Sequence, residues 1–188
     1  FSRRQSQDKR PISLGDTLLE TVKLLRASLP RTIDIHTNID PQAPRVLGDT
    51  TSVQQVLMNL GTNAAHAIGG EGRIELSLDP FYARDSFVRT HPDLREGSYA
   101  VLTARDTGAG MPAAVLERVF EPFFTTKAPG AGTGLGLSMV HSIMRDHQGA
   151  IYLESEVGRG TTARCYFPAI EEQESHHVAS SALLARGK

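Results

Sequence analysis

The chain has 188 residues, 39% hydrophobic and 22% charged, with a formal net charge of −1, which is the size and balance of one domain with a buried core. That charge excludes a general basic field for nucleic acid or anionic lipid, so any anion site must be local. The single cysteine, Cys165, excludes an internal disulfide, and together with the lack of a stretch long and apolar enough for a membrane span or signal peptide it predicts a cytoplasmic domain. Any membrane anchor of the parent protein is expected outside this chain. Cys165 lies in an alternating apolar run and is expected to be inert core packing.

The opening FSRRQSQDKR is polar and basic, without core positions of its own. Leu14, Leu18, Val22, Leu25 and Leu29 recur at helical spacing until Pro30, predicting a first helix. Ile33, Ile35, Thr37 and Ile39 alternate with polar residues as in a half-buried strand, and a short strand is expected around Val46. Thr51 with Gln54 suggests a capping box for a helix running to about Ile68, stopped by Gly69 and Gly70. Ile74, Leu76 and Leu78 predict a strand, followed by an irregular stretch from Pro80 to Gly97. A strand over Ser98 to Arg105 delivers Asp106 to its end, and Pro112 suits the first turn of a short helix reaching Val119. Residues 121–133 show no periodicity and read as a mobile loop. Leu135, Met139, Val140, Ile143 and Met144 stripe a further helix closed by Gly149, and two strands around the turn Gly158-Arg159-Gly160 predict a hairpin. The tail from Glu171 is acidic, then small and polar, as in a linker. Helices and strands mix without regular βαβ alternation, so the expected class is α+β with a mixed or antiparallel sheet.

Four segments carry chemistry. In QQVLMNLGTNAAHAI, Asn59, Asn63 and His66 stand four and three residues apart on one helical stripe at the edge of an apolar face. They are either satisfied surface amides or a set of magnesium and phosphate contacts, since Mg²⁺ takes hard oxygen donors and keeps water and nucleotide oxygens as its other ligands. In DTGAGM, Asp106 at a strand end precedes Gly108 and Gly110, which allow close backbone approach to a flat ligand. A carboxylate there can accept from an exocyclic amine; the plainer alternative is a glycine turn capped by an aspartate. In VFEPFFTTK, three phenylalanines can anchor one end of a loop while Lys127 stays polar and able to reach a phosphate. In GAGTGLGLSMV, glycines lead straight into a helix, where free backbone N–H groups suit phosphate oxygens. The run lacks the Gly-Lys-Ser/Thr ending of a P-loop and does not match the dinucleotide fingerprint.

Taken together and in order, these segments resemble the N box, first glycine box, F box and second glycine box of the sensor histidine kinase ATP-binding domain. GRGTT, residues 158–162, is similar to that domain's further glycine motif. The resemblance covers about Pro11 to Pro168. The family shares its fold with gyrase, heat-shock chaperone and mismatch-repair ATPases, but the FFTTK element points to the kinases. It implies a two-layer α/β sandwich, with a mixed, mostly antiparallel sheet covered on one face by about three helices and a mobile ATP lid. It implies ATP and Mg²⁺ as cofactors, with Asn63 as the metal ligand and Asn59 beside it. Asp106 would meet the adenine amine, and Gly108 and Gly110 would shape its pocket. Lys127 would lie near the terminal phosphate, preceded by Phe124, Thr125 and Thr126 on the lid. The backbone of Gly132, Thr133, Gly134, Leu135, Gly136 and Leu137 would line the triphosphate. His66 stands where many members carry a basic phosphate contact, and Thr161 belongs to the nucleotide site through the last glycine motif. Asn63 and Lys127 would carry the catalytic roles. Thr107 replaces the commoner Asn of the first glycine box, which leaves its own role open.

None of the seven histidines (His36, His66, His91, His141, His147, His176 and His177) stands in the family's phosphoacceptor setting. The resemblance therefore implies a domain map. Residues 1–10 would be the remnant of a dimerising phosphoacceptor helix, 11–170 the ATP-binding domain, and 171–188 a linker, with a fused receiver domain as one continuation. The expected partners are the phosphoacceptor domain of the same protein and a response regulator or fused receiver. This domain alone would be monomeric, its parent homodimeric. A chaperone-type ATPase clamp and a nucleotide-sensing adaptor are the competing readings.

Overall fold

The structure is a computed structural model, and it describes residues 9–171. Most of the expected phosphoacceptor remnant and nearly all of the expected linker, with His176 and His177, lie outside the described residues.

Helix α1 spans Leu14–Ser28, and its N-cap Ser13 accepts from the Asp16 N–H at 3.2 Å. Its apolar stripe, Leu14, Leu18, Val22 and Leu25, is almost wholly buried. Strand β2 (Ile33–Ile39) follows, then β3 (Val46–Gly48). Helix α2 (Thr50–Ile68) is capped two residues earlier than the expected box: the Asp49 carboxylate accepts from the Ser52 N–H at 2.7 Å. Asp49 meets the geometric need first, so Thr51 falls inside the helix. Gly69 closes the helix, with its N–H on the Ala65 carbonyl.

Strand β4 runs Gly72–Ala83, straight through Pro80 where an irregular stretch was expected. Its pairing with β2 ends at Leu78, so Pro80 lies where one side of the strand is open and a missing donor is tolerated. After the short helix α3 (Asp85–Val88) comes β5 (Gly97–Asp106). Helix α4 (Ala113–Leu116) stops short of the expected Val119, although Val119 is buried. Helix α5 (Gly136–Asp146) and the hairpin of β6 (Ala150–Glu156) and β7 (Gly160–Pro168) complete the domain.

The sheet order is β2-β4-β5-β7-β6, with β2 and β4 parallel and every other pair antiparallel. A separate ribbon joins β3 to β1 (Arg10–Ile12), a strand that the sequence pattern did not announce. Side-chain alternation splits the sheet into two faces. Leu102 and Ala104 of β5 and Ala163, Cys165 and Phe167 of β7 join α1, α2 and α5 in the main core. Full burial pushes the Cys165 thiol up to about 12, which fits an inert core residue. The opposite face is covered at one end by residues 84–96, where Leu94 and Phe87 pack on Tyr99, Val101 and Tyr166. The rest of that face is polar, with Arg164 and Glu154 paired at 3.0 Å. Among the described residues, no helix is long and apolar enough to cross a membrane.

Candidate nucleotide site

One end of the site forms where β5, β7 and β6 finish side by side on the core face. Asp106 is only 7% exposed. Its Oδ1 accepts from the backbone N–H of Gly108 at 2.8 Å and of Thr161 at 3.3 Å. Burial pushes its carboxyl above the usual range, and those two N–H groups partly offset the rise. Among the described residues no hydrogen bond reaches Oδ2, so an acceptor is held ready for a donor.

The first glycine box is tied down on three sides. Ala109 N–H bonds the Ala67 carbonyl of α2 at 3.0 Å, and Gly158 N–H bonds the Ala109 carbonyl at 2.7 Å. Gly108 packs so tightly on α2 that a Cβ would lie 2.7 Å from the Ala67 carbonyl carbon. Gly110 has φ +68° and faces the Glu156 carbonyl, so any side chain there would both strain the backbone and collide. Thr107, whose role the sequence left open, makes a reciprocal pair with Arg73. Its N–H bonds the Arg73 carbonyl at 3.1 Å, and its Oγ1 accepts the Arg73 N–H at 3.0 Å. It fastens the box to the start of β4.

The other end is built on α2. Asn59 and Asn63 face the start of α5: a Cβ on Gly136 would sit 3.6 Å from both Asn59 Oδ1 and Asn63 Nδ2. The Asn59 Nδ2 group is buried with no hydrogen-bond partner. Such an orphan costs about 1–3 kcal/mol, so it asks for an explanation. The first helical N–H groups of α5, on Gly136, Leu137 and Ser138, have no helical acceptor. Among the described residues, no group of three or more His, Cys, Asp or Glu side chains could hold a metal. Of the two amides, Asn59 presents its oxygen and Asn63 its nitrogen toward the α5 start.

Between α4 and α5 the chain runs without helix or strand. Phe120 packs on His141, ring centroids 5.1 Å apart, and anchors one end. At the other, the Phe123 N–H bonds the Gly134 carbonyl at 3.0 Å; Gly134, at φ +67°, passes so close to Phe123 that a side chain has no room. Lys127 Nζ reaches His66 Nδ1 at 3.0 Å, and Gly132 packs against the Lys127 stem. Thr125 Oγ1 accepts the Lys127 N–H, and Thr133 Oγ1 accepts the Leu135 N–H. Phe124 turns away to stack under Arg118, 4.3 Å from the ring centroid. Thr126 is exposed and makes no hydrogen bond among the described residues. Of the sequence candidates, then, Asp106, Gly108, Gly110 and Thr161 meet at one end. Along α2, Asn59 and Asn63 meet Gly136, and His66 meets Lys127, whose stem packs on Gly132. Ser155, which no motif singled out, bonds Met111 and Thr161 at the first end. Its place opposite Thr161 in the hairpin was the available signal.

Comparison with known proteins bears on the family of the chain. The family model described as histidine kinase-, DNA gyrase B-, and HSP90-like ATPase matches residues 48–171. The sensor kinase CckA of Brucella abortus (strain 2308) is 40% identical over 174 residues, which are 93% of this chain but 18% of that protein. The chain thus spans less than a fifth of that relative's length. The nucleotide-free catalytic domain of histidine kinase ThkA superposes with a TM-score of 0.69 at 29% identity, covering 86% of this chain and 95% of that one. ThkA has also been solved in complex with the response regulator protein TrrA. Full-length ShkA in complex with AMPPNP shares the fold, with a TM-score of 0.69 at 23% identity over 87% of this chain and 32% of that one. The chain belongs to the histidine kinase-, DNA gyrase B- and HSP90-like ATPase family, and its relatives include sensor histidine kinases.

Proposed function

We propose that this domain binds Mg·ATP and presents the γ-phosphoryl group to a histidine on a separate dimerising phosphoacceptor domain, in two-component signalling. The observation that carries the reading is the meeting of the N box and the second glycine box, with Gly136 against Asn59 and Asn63. Two segments more than 70 positions apart are brought together there, and the first glycine box that follows Asp106 is bonded to the end of the same helix through Ala109 on Ala67. The residues fit the cofactor. Asn63, with Asn59 beside it, would give Mg²⁺ an amide oxygen, and the orphaned Asn59 amide group would gain a partner from the ligand shell. Mg·ATP, when bound, supplies the transferable group and most of the charge compensation.

The chain's own residues bind and orient. Asp106 accepts from the base amine, and the N–H groups from Gly132 to Leu137 receive phosphate oxygens. Lys127 leaves His66 to neutralise the terminal phosphate, while Thr125 and Thr133 shape the loop that excludes water. None of the described histidines stands in the family's phosphoacceptor setting. His147 is buried, with both ring nitrogens engaged. In-line positioning of an imidazole therefore falls to the phosphoacceptor domain. Residues 1–10 as the end of that domain and 171–188 as a linker toward a receiver complete the proposed parent. A response regulator partner is supported by the TrrA complex of ThkA.

The test is to mix this chain, Mg·ATP and an isolated phosphoacceptor domain, and to follow phosphohistidine. Transfer that needs both components supports the proposal. ATP turnover with self-dimerisation and no partner would make it a clamp ATPase, and nucleotide binding without transfer an adaptor.

A further inference from the structure

Asp106, Thr161 and Ser155 occupy the last core-facing positions of three neighbouring strands. Alternation puts them there: Leu102 and Ala104 lead to Asp106, Ala163 and Cys165 follow Thr161, and Ile151 and Leu153 lead to Ser155. Ser155 and Thr161 are direct cross-strand partners.

The Ser155 hydroxyl meets three groups: the Met111 N–H at 2.8 Å, Thr161 Oγ1 at 2.7 Å and the Gly160 carbonyl at 3.2 Å. A hydroxyl has one proton and two lone pairs. Met111 can only donate, so it takes a lone pair. The Gly160 carbonyl can only accept, so it takes the proton. Thr161 can then be served only by the remaining lone pair, and its own hydroxyl must donate to Ser155. This is the one assignment that satisfies all three contacts. It commits the Thr161 proton to Ser155 and leaves Thr161 only lone pairs to offer a ligand. Beside it, Asp106 is also an acceptor, with Oδ1 already engaged by Gly108 and Thr161.

We infer that Ser155 is a positioning residue that sets base specificity. By fixing the Thr161 hydroxyl as an acceptor, it makes this end of the cleft a pair of acceptors. Such a pair matches the two N–H bonds of a 6-amine and opposes the 6-carbonyl of a hypoxanthine or guanine base. The inference rests on the nucleotide reading above and concerns the base alone. Without Ser155 the Thr161 hydroxyl can turn and donate, which a 6-carbonyl would accept.

Calorimetric titration of wild type and Ser155→Ala with ATP and with ITP tests this, because the two nucleotides differ at the 6-position. The expected result is a fall of about tenfold in the ATP-to-ITP affinity ratio, the size of one hydrogen-bond change. Thr161→Val should lower the ratio similarly, and adding Ser155→Ala to it should lower it no further. If Ser155→Ala does not fold, Ser155→Cys should give a smaller fall in the same direction. A folded Ser155 variant that loses ATP and ITP affinity equally, or keeps the wild-type ratio, overturns the role of Ser155. A wild-type protein that binds ATP and ITP alike overturns instead the adenine reading beneath it.

Discussion

The Lys127 ammonium lies 3.0 Å from Nδ1 of His66, joining the loop after α4 to the last turn of α2 across 61 positions of sequence. An ammonium only donates, so Nδ1 is the acceptor and the ring proton sits on Nε2. The contact holds Lys127 beside Gly132, in the segment that leads into α5. Lys127→Ala should therefore act on the phosphates and on the loop together. ATP affinity is expected to fall tenfold or more, about the value of one charge-assisted hydrogen bond, while adenosine affinity stays level. Hydrogen exchange over residues 120–132 should quicken in the variant. Equal losses for ATP and adenosine would show that Lys127 serves the fold rather than the phosphates.

Asp106 sets stability against binding. Burial raises its carboxyl, so the native state holds its proton to higher pH than the unfolded chain does. The sign follows. Stability from this group is fully present below the ordinary carboxylate range and is lost as pH rises through the raised native value, so at neutral pH the buried charge is a cost. Asp106→Asn can keep Oδ1 for Gly108 and Thr161 while removing the charge. The free variant should melt higher than wild type at pH 7.5, and the gap should narrow toward pH 4. Its amide presents a donor where Oδ2 stood, so ATP binding should be lost. A variant that melts lower at neutral pH, or that still prefers ATP over GTP, would remove Asp106 from the site.

The two asparagines are separable. Asn63 lies off the centre of the buried stripe of α2 and has no hydrogen bond among the described residues. Asn63→Ala should leave the melting temperature near wild type while weakening Mg²⁺-dependent ATP binding. Asn59 carries the orphaned buried amide, so Asn59→Leu, which keeps the branching at Cγ and removes the unpaired donor, should not lower the melting temperature while it impairs the same binding. Thermal scans with and without Mg·ATP would check both. An Asn63→Ala protein that binds Mg·ATP normally returns that residue to an ordinary helix-surface role.

The sequence revealed elements wherever burial imposes a period and the site wherever the backbone itself does the work. Leu14 to Leu25 and Ile33 to Ile39 showed their faces because one side of each is covered. Gly110 and Gly134 were visible because a backbone that must approach another so closely excludes every side chain. The hidden features depend on relations between distant residues. Pro80 looked like a strand end because the sequence does not say that β2 stops at Ile39. The packing of residues 84–96 on the second face was unreadable for the same reason: Phe87 and Leu94 are not periodic, and their partners lie on β5 and β7. Asp49 outcompeted Thr51 as the cap of α2 through local geometry that either sequence position could have met. The roles of Thr107 and Ser155 rest on single hydroxyl bonds across strands, which no spacing rule encodes.

His147 should give the domain an acid-side weakness. It is 6% exposed, donates from Nδ1 to the Ile143 carbonyl at 2.8 Å, and accepts the Asp49 N–H on Nε2 at 3.2 Å. It thereby clamps the end of α5 to the cap of α2. Burial holds its imidazole below the ordinary histidine range, and Lys9 adds to that. The Ile143 carbonyl, Asp49 and Asp146 pull the other way without reversing it. The native state therefore refuses a proton that the unfolded chain accepts below about pH 6.5. Stability should fall as pH drops through that value toward the lowered native one, by at most about 1.4 kcal/mol per pH unit from this group. His147→Gln removes the titration but not the polarity. It should melt lower than wild type at pH 7.5, where the clamp is intact, and the difference should shrink by pH 5.5. Melting curves of the two proteins across that range check it, because every other group is common to both. Parallel curves would mean that His147 does not carry the acid response.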